Sequence, residues 1–271
     1  MVCEQVVITG ASSGIGAAFA RRLAGECKLM VLVARRGDVL EALAAELRRQ
    51  HPHMEVATAP CDLADESQRK VLMEACAGLD SGEILLINNA GLGDHGDFCS
   101  SNPARNRDML QVNVCALTEL THALLPRIVR QGGGIINIAS LAAEFPIPDF
   151  AVYAASKAYV ASFSEALRLE LQEFGIPVLA VCPGPVHTGF GDVARRAGQG
   201  SGDVPFKKWF YTTIDEVVEG SLVSLLKGRA RYYPSLKIRL SAWLLRLAPL
   251  ALLRRIMAYR PRRTSKKTDY S

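Results

Sequence analysis

This sequence of 271 residues lacks the features of a metal site and of a signal peptide. Its seven cysteines are scattered and odd in number, and neither a C-x-x-C pair nor a histidine cluster offers the spacing of a metal site. We therefore expect no metal, and buried free thiols in a reducing compartment. The N-terminus lacks the charged segment and apolar core of a signal peptide, which favours a cytoplasmic protein.

The sequence also has no internal repeat and no low-complexity block, and its length suits one large α/β domain. Short apolar runs alternate with helical patterns, which predicts a Rossmann-like doubly wound parallel sheet with helices on both faces. Strands are predicted near residues 5–9, 29–34, 55–60, 84–88, 134–139, 177–182 and 230–233. Helices are predicted near residues 14–25, 38–50, 65–77, 102–130, 152–174 and 214–227.

A glycine-rich turn separates the first predicted strand from the first predicted helix. Its glycines, Gly10, Gly14 and Gly16, have the spacing G-x-x-x-G-x-G. Glycines let the backbone approach a pyrophosphate, and a helix N-terminus supplies free N–H groups and the positive end of the helix dipole. The pattern therefore predicts a phosphate site, with a purely structural turn as the alternative.

The second predicted strand ends in two arginines, Arg35 and Arg36. NAD-binding folds carry an acidic residue at this position, where it holds the ribose 2′-OH. Guanidinium groups instead suit a phosphate, so the sequence predicts a preference for NADP(H). The alternative is that both side chains simply lie on the surface before the next helix.

Tyr153 and Lys157 lie four residues apart, about one helical turn, and are predicted to share a helix face. A phenol has an ordinary pKa of about 10 and is a poor acid and base near neutrality. A fixed ammonium group one turn away favours the phenolate, which predicts a proton donor and acceptor. The same spacing is common on solvated helix faces, so the interpretation depends on the rest of the chain.

Further motifs follow the predicted strands in order. They are Asp62 and Leu63 after the third strand, residues 88–91 (NNAG) at the end of the fourth, Asn113 within residues 111–114 (QVNV), Ser140 after the fifth strand and residues 183–188 (PGPVHT) after the sixth. Each has a structural explanation by itself: a strand end for Ser140, a helix kink for Asn113 and a helix cap for Asp62. Their order and separations make that explanation improbable for the whole set.

The ordered set, from about residue 5 to residue 190, resembles the short-chain dehydrogenase/reductase family. No catalytic element of that family is missing. The resemblance implies that the nicotinamide cofactor is bound by Thr9, Gly10, Ser12, Ser13, Gly14, Ile15, Gly16, Arg35, Arg36, Asp62, Leu63, Asn89, Ala90, Gly91, Tyr153, Lys157, Pro183, Gly184, Val186 and Thr188. It implies a catalytic set of Asn113, Ser140, Tyr153 and Lys157, in which Ser140 and Tyr153 also bind the substrate.

The roles implied by the resemblance concern one oxygen atom of the substrate. Tyr153 would give it a proton in reduction or take one in oxidation, and Ser140 would hydrogen-bond it. Lys157 would lower the pKa of Tyr153 and bind the nicotinamide ribose. Asn113 would hold a water that links Lys157 to solvent, and Thr188 would contact the carboxamide.

The resulting expectation is an NADP(H)-dependent oxidoreductase that interconverts a carbonyl and a secondary alcohol, and that forms a homo-oligomer. A substrate loop at about residues 185–212 contains glycines typical of a mobile lid. Phe145, Ile147, Phe150, Phe206, Trp209, Phe210 and Tyr211 are candidates to line an apolar pocket, with residues 93–96 at its rim. Such a pocket favours a lipophilic substrate: long-chain, 3-oxoacyl or sterol-like. The alternative function is a cofactor-sensing or membrane-recruited binding protein with little turnover.

Charge is distributed unevenly along the chain. The last 45 residues hold thirteen of the 32 basic residues but only one of the 27 acidic ones, Asp269. The preceding part therefore has 19 basic and 26 acidic residues, a net charge of −7, against +12 for the last 45. Such asymmetry is typical of a surface for an anionic partner.

We divide the chain into a catalytic domain at residues 1–234 and a basic amphipathic segment at residues 235–271. In this segment Leu236, Leu240, Trp243, Leu244 and Leu247 form one helical stripe, with Arg239 and Arg246 on another. Recurring charges and Pro249 argue against a transmembrane helix. The pattern favours a helix in the interface of an anionic membrane, with residues 260–267 adding charge. Alternatively, the stripe caps the pocket or packs in an oligomer; no nucleic-acid module accompanies it.

Overall fold

The computed structural model of the protein describes residues 3–79, 82–186, 188–194, 196 and 211–258. Among these residues, seven parallel strands form one sheet in the order β3-β2-β1-β4-β5-β6-β7. The strands are β1 Gln5–Thr9, β2 Leu29–Ala34, β3 Glu55–Pro60, β4 Ile84–Asn88, β5 Gly133–Ile138, β6 Val178–Val181 and β7 Arg231–Tyr232. The predicted fold class is confirmed.

Helices connect the strands and cover both faces of the sheet. They are α1 Gly14–Leu23, α2 Gly37–Gln50, α3 Glu66–Ala77, α4 Pro103–Leu110, α5 Leu117–Gln131, α6 Ala151–Glu170, α7 Phe190–Ala194, α8 Ile214–Leu226, α9 Leu236–Leu247 and α10 Leu250–Ala258. Strand β1 shows why the apolar runs are continuous rather than alternating. Val6 and Ile8 pack with α1 and α2 on one face, while Val7 packs with α5 on the other.

The strand order reverses beside β1, which pairs with both β2 and β4. At such a switch point the chain leaves neighbouring strands in opposite directions, so a crevice opens beyond their carboxyl ends. The predicted glycine turn follows β1, and residues 88–91 begin at the end of β4. The topology therefore brings both predicted cofactor motifs to the same crevice.

The long helix predicted near residues 102–130 is divided in the structure. A π-helical turn, Gln111–Ala116, separates α4 from α5. Asn113 lies in this turn and its side chain hydrogen-bonds outside the helix, to the main chain of Leu92 and to Ser156. The extra residue of a π-turn directs Asn113 inward, and this local irregularity is typical of functional sites.

The helix predicted to continue to residue 174 ends at Glu170. A short 3-10 turn, Gln172–Phe174, follows it and is closed by Gly175 in a left-handed conformation.

The seven cysteines all lie in the described part of the chain as free thiols. Cys99 is exposed and Cys115 half-buried, so the expectation of buried thiols holds for five of them. Within the same described part, every helix is too short or too polar to cross a membrane.

Candidate functional site

Thr9 joins the ends of β1 and β4. Its hydroxyl accepts the N–H groups of Asn89 and Ala90, each at 3.0 Å, and faces the carbonyl of Ile87 at 3.4 Å. The Asn89 side chain donates in return to the carbonyls of Thr9 at 2.9 Å and Gly10 at 3.2 Å. Because these bonds cross between two strands, the glycine turn and the segment after β4 are fixed relative to one another.

The glycines of the turn leave no room for a side chain. A Cβ at Gly16 would lie 2.3 Å from the carbonyl oxygen of Gly10, and one at Gly10 would lie 2.8 Å from Asn89 Nδ2. Gly10 and Gly14 also have positive φ angles of 66° and 56°. Ser13 precedes α1 without a side-chain capping bond, so the first-turn N–H groups are open to a phosphate. This cradle fits the pyrophosphate of a dinucleotide.

Arg36 lies against the glycine turn, while Arg35 is exposed beside it. Nη2 of Arg36 donates to the hydroxyl of Ser12 at 3.0 Å and to its carbonyl at 3.4 Å. On the next strand, Asp62 accepts from the main chain of Ala64 at 3.0 Å. It does not cap α3, since Asp65 provides that cap. The structure thus places Arg36 and Asp62 beyond β2 and β3, at the same edge of the sheet as the turn.

The remaining predicted cofactor residues lie around the same crevice. A Cβ at Gly14 would be 3.2 Å from Thr188 Cγ2, so Thr188 lies over the turn. Pro183 follows β6, and its carbonyl accepts the N–H of Leu141 at 2.8 Å. A Cβ at Gly91 would be 3.3 Å from Lys157 Nζ, so only main-chain atoms of Gly91 lie between the crevice and this lysine. His187 lies outside the described residues.

Three elements bring the predicted catalytic residues together. Tyr153 and Lys157 share one face of α6, with Lys157 Nζ 6.0 Å from the centroid of the Tyr153 ring. Lys157 is buried and donates to the carbonyl of Ile138 at 2.8 Å, at the end of β5. Ser140 follows β5, and its side chain interacts with Tyr153 and lowers the pKa of the phenol. It also accepts the N–H of Ala142 at 3.1 Å and so caps the short turn that begins there.

Asn113 holds this group against the loop after β4. It accepts the N–H of Leu92 at 2.8 Å and donates to the Leu92 carbonyl and to Ser156 Oγ, each at 2.9 Å. Ser156 in turn donates to the carbonyl of Tyr153 at 2.7 Å. Both amide protons of Asn113 are therefore used by the protein, so only an oxygen of this residue is available to hold the expected water.

Burial governs the titration of both residues on α6. It raises the pKa of Tyr153 above its ordinary value of 10.0, and the hydrogen bond from Ser140 opposes that rise. It lowers the pKa of Lys157 from 10.5 to about 8. Burial therefore sets the direction of the Tyr153 pKa, and the expectation that Lys157 lowers this pKa stays a prediction. Lys157 itself is buried and donates to a carbonyl 2.8 Å away.

Aromatic rings form one wall of the site. The Tyr153 ring lies 5.9 Å from that of Phe150 and 5.6 Å from that of Phe190, and His95 lies 4.6 Å from Phe150. Phe150 thus lines the site as predicted, while Phe145 and Ile147 are half-buried nearby in sequence. Residues 198–202 of the predicted lid, and Phe206, Trp209 and Phe210, lie outside the described residues.

A glycine crevice beside Tyr153, Lys157 and Ser140 is the arrangement that the sequence motifs implied. A family model described as short chain dehydrogenase matches residues 4–199. The chain belongs to the short-chain dehydrogenase family. It is accordingly an oxidoreductase of the class that acts on alcohol and carbonyl groups, as the sequence predicted at that level.

Individual members of the short-chain dehydrogenase family show the same relationship. The chain is 34% identical over 224 residues to Sulfoacetaldehyde reductase 2 of Chromohalobacter salexigens, covering 80% of this chain and 86% of that protein. It is similar to a solved short-chain dehydrogenase from Sphingobium yanoikuyae in complex with NADPH, with a TM-score of 0.77, 32% identity and coverage of 98% and 99%. It is also similar to a bulky-bulky ketone specific alcohol dehydrogenase from Comamonas testosteroni, with a TM-score of 0.76, 27% identity and 99% of both chains covered.

The sequence motifs did not reveal how this short-chain dehydrogenase holds its substrate loop. Arg196, just after α7, binds Asp94 through Nε at 3.1 Å to each carboxylate oxygen, and Arg105 Nε lies 3.3 Å from the same carboxylate. Asp94 is buried, so it fastens the substrate loop rather than offering a free polar group at the rim. A separate bond joins the end of α7 to the same segment, because the main-chain carbonyl of Ala194 accepts the N–H of His95 at 3.0 Å.

Glu144 is a second residue that the motifs missed. Its buried carboxylate accepts from Arg231 at 2.9 Å, from Arg246 at 3.1 Å and from the hydroxyl of Tyr233 at 2.6 Å. It ends the turn that Ser140 caps, so it connects that turn with β7 and α9. Its partners lie about ninety or more residues away in the chain. No local sequence pattern could have identified it.

Replacing Glu144 with Gln should lower the free energy of unfolding by about 3 kcal/mol, because it removes the buried charge that three donors share. Urea unfolding followed by circular dichroism measures this change. Glu173→Gln, at an exposed carboxylate, is the control and should change it by less than about 0.5 kcal/mol. Equal effects of the two variants would contradict a special contribution from Glu144.

Replacing Lys157 with Met should change how stability depends on pH. Since the pKa of Lys157 is about 8 when folded and near 10.5 when unfolded, the unfolded chain binds more protons between these values. The parent should therefore gain stability relative to the variant as pH rises from 8 to 10.5, by up to about 3 kcal/mol. Urea unfolding across this range measures the difference. The exposed Lys70→Met provides the control, and a difference for Lys157→Met that does not vary with pH would refute the assignment.

Proposed function

We propose that this protein is an NADP(H)-dependent oxidoreductase that interconverts a carbonyl and a secondary alcohol on a lipophilic substrate. The observation that carries the proposal is the convergence of Ser140, Tyr153 and Lys157 beside the glycine cradle. The Ser140 side chain lowers the pKa of Tyr153, and Lys157 lies one helical turn below the tyrosine. Together they offer a proton donor, an oxygen-binding hydroxyl and a nearby cation.

The chain's own residues account for the proton in this reaction. Tyr153 transfers a proton to or from the substrate oxygen, and Ser140 donates a hydrogen bond to that oxygen as its charge develops. Lys157, with a pKa of about 8, can exchange a proton near neutrality. Thr9 and Asn89 hold the glycine turn in place, and the three glycines of that turn would hold the cofactor's pyrophosphate. A bound nicotinamide cofactor supplies or accepts the hydride.

Two arginines support NADP(H) over NAD(H). Both follow β2, where a carboxylate would favour a ribose 2′-OH, and Arg36 already reaches the phosphate turn through Ser12. Guanidinium groups bind phosphate through charge-assisted hydrogen bonds, each contributing about 1.5–3 kcal/mol. The similar Sphingobium yanoikuyae protein was solved with NADPH, which agrees with this preference.

Replacing Arg35 and Arg36 together with Ala should raise the dissociation constant for NADPH by about 100-fold, and that for NADH by less than about threefold, because only NADPH has the 2′-phosphate. Fluorescence titration of each cofactor measures the two constants. Arg49→Ala removes an exposed arginine of α2 and serves as the control. An equal loss for both cofactors, or no loss, would exclude the assignment.

The wall of the site supports a lipophilic substrate. The rings of Phe150 and Phe190 lie 5.9 Å and 5.6 Å from the Tyr153 ring, so the substrate carbon would meet apolar surface. The similar Comamonas testosteroni enzyme is described as specific for bulky ketones, which agrees with an apolar pocket. The reductase from Chromohalobacter salexigens is named for a small polar aldehyde, so the substrate has to be tested directly.

NADPH oxidation should be measured across carbonyls from small and polar to long-chain, 3-oxoacyl and sterol-like. We expect turnover on the lipophilic members, and Tyr153→Phe should lower kcat by roughly 100-fold or more while NADPH affinity is retained. Tyr159→Phe, an exposed tyrosine of the same helix, should retain the parent's rate.

Turnover confined to the small polar members would overturn the lipophilic assignment and leave the enzyme assignment intact. No turnover above that of Tyr153→Phe on any member, with NADPH still bound, would overturn the enzyme assignment. It would favour the alternative of a cofactor-sensing protein.

A further inference from the structure

Helix α9 presents a row of large apolar side chains to solvent. The exposed side chains are Leu236 at 71%, Leu240 at 57%, Trp243 at 57%, Leu244 at 54% and Leu247 at 61%. They recur at helical spacing and therefore form a single stripe. Leu252 of α10 is also half-exposed, at 50%. A contiguous apolar surface of this kind is uncommon on a protein that has no partner for it.

The opposite face of α9 is anchored to the catalytic part of the chain. Ile238 and Ala242 are buried against Leu141, and Phe145 and Tyr233 pack against the same cluster. Arg246 adds an ion pair to the buried Glu144, at 3.1 Å. Because its inner face is held in this way, α9 cannot turn its leucine stripe inward without breaking those contacts. The pocket-capping alternative therefore applies to the inner face, not to the stripe.

Cations accompany the stripe, and acidic residues do not. Residues 236–258 contain Lys237, Arg239, Arg246, Arg254 and Arg255 but no Asp or Glu. By helical spacing, Lys237 lies along one side of the stripe and Arg239 along the other. Arg254 and Arg255 are exposed on α10. An apolar band with cations on both sides matches an interface of lipid tails and anionic headgroups.

We propose that α9 and α10 dock on an anionic membrane surface, with the leucine stripe at the level of the acyl chains and the cations among the headgroups. A second copy of the same face matches less well, since two copies would bring Arg239, Arg254 and Arg255 of one copy toward the same three arginines of the other. An anionic bilayer provides both the apolar layer and the opposite charge. The helices would lie along the membrane, because neither is long enough to span it.

The docking would place the active site close to lipid. The residues beneath α9, Leu141 and Phe145, belong to the segment that follows Ser140, so the membrane-facing helix and the catalytic turn are in direct contact. A substrate dissolved in the bilayer would then have a short path to Tyr153. This consequence rests on the proposed function, whereas the docking does not.

Trp243 provides a direct reporter of docking. The chain has two tryptophans, so the full-length Trp209→Phe variant leaves Trp243 as the only one. Its emission should shift to shorter wavelength with vesicles of phosphatidylcholine and phosphatidylglycerol, and not with phosphatidylcholine alone. Raising the salt concentration should weaken binding, because the attraction to headgroups is screened. The readout is independent of catalysis, so it is distinguishable from a failure of the proposed reaction.

Substitutions on the stripe and its flanks then assign the contact. Leu240→Ser with Leu244→Ser should lower vesicle co-sedimentation at least about tenfold, since it removes two large apolar side chains from the layer of acyl chains. Arg239→Glu should lower it by about tenfold or more through its change of two charges. The controls are Leu169→Ser with Leu226→Ser, which have similar exposure, and the exposed Arg49→Glu. These should bind as the parent does, and circular dichroism should show every variant folded.

Three results would overturn the proposal. They are equal binding to neutral and anionic vesicles, unchanged binding of the stripe variants, and a shift of Trp243 emission that grows with protein concentration without vesicles. The last would identify a second copy of the chain as the partner of the stripe.

Discussion

The hydrogen bonds between Thr9 and the chain after β4 are the contact on which the rest of the site depends. They fix the ends of two adjacent strands at the point where the sheet reverses its order, and so define the crevice. Gly10 and Gly16 fill that junction so closely that a single methyl group at either would collide with backbone or with Asn89. The phosphate cradle is therefore a consequence of how tightly β1 and β4 are joined.

Tyr153 and Lys157 show how burial changes the pKa of a side chain. Lys157 is almost completely buried, and one carbonyl bond at 2.8 Å satisfies only part of what water would provide. Its pKa falls toward neutrality for that reason, while the pKa of Tyr153 rises. Asn113 and Ser156 support the pair through the backbone of Tyr153. Bringing Tyr153 and Lys157 together thus has a cost in solvation free energy, which the surrounding fold must offset.

Contacts distant in sequence attach the variable parts of the molecule to this group. Arg196 brings the substrate loop onto the buried carboxylate of Asp94, and Phe190 reaches the Tyr153 ring from that loop. Glu144 connects the turn after Ser140 to Arg231 and to Arg246 of α9. Both carboxylates are buried and surrounded by donors, which suits them to hold segments in place rather than to bind ligands. Glu144 therefore links α9, which carries the exposed leucine stripe, to the turn that follows Ser140.

The sequence by itself determined the strand and helix order, the phosphate turn and the positions of Ser140, Tyr153 and Lys157. Those features depend on local signals: β-branched runs, glycine spacing and a four-residue helical repeat. It also predicted the stripe on α9, because helical periodicity is local. Only the tertiary structure decided which face of α9 is buried, where the π-turn directs Asn113, and how Asp94 and Glu144 are paired. Each of these depends on side chains that are far apart in the sequence and meet only in the folded chain. The burial that raises the pKa of Tyr153 also arises only in the folded chain, and its effect is opposite to the one expected from Lys157.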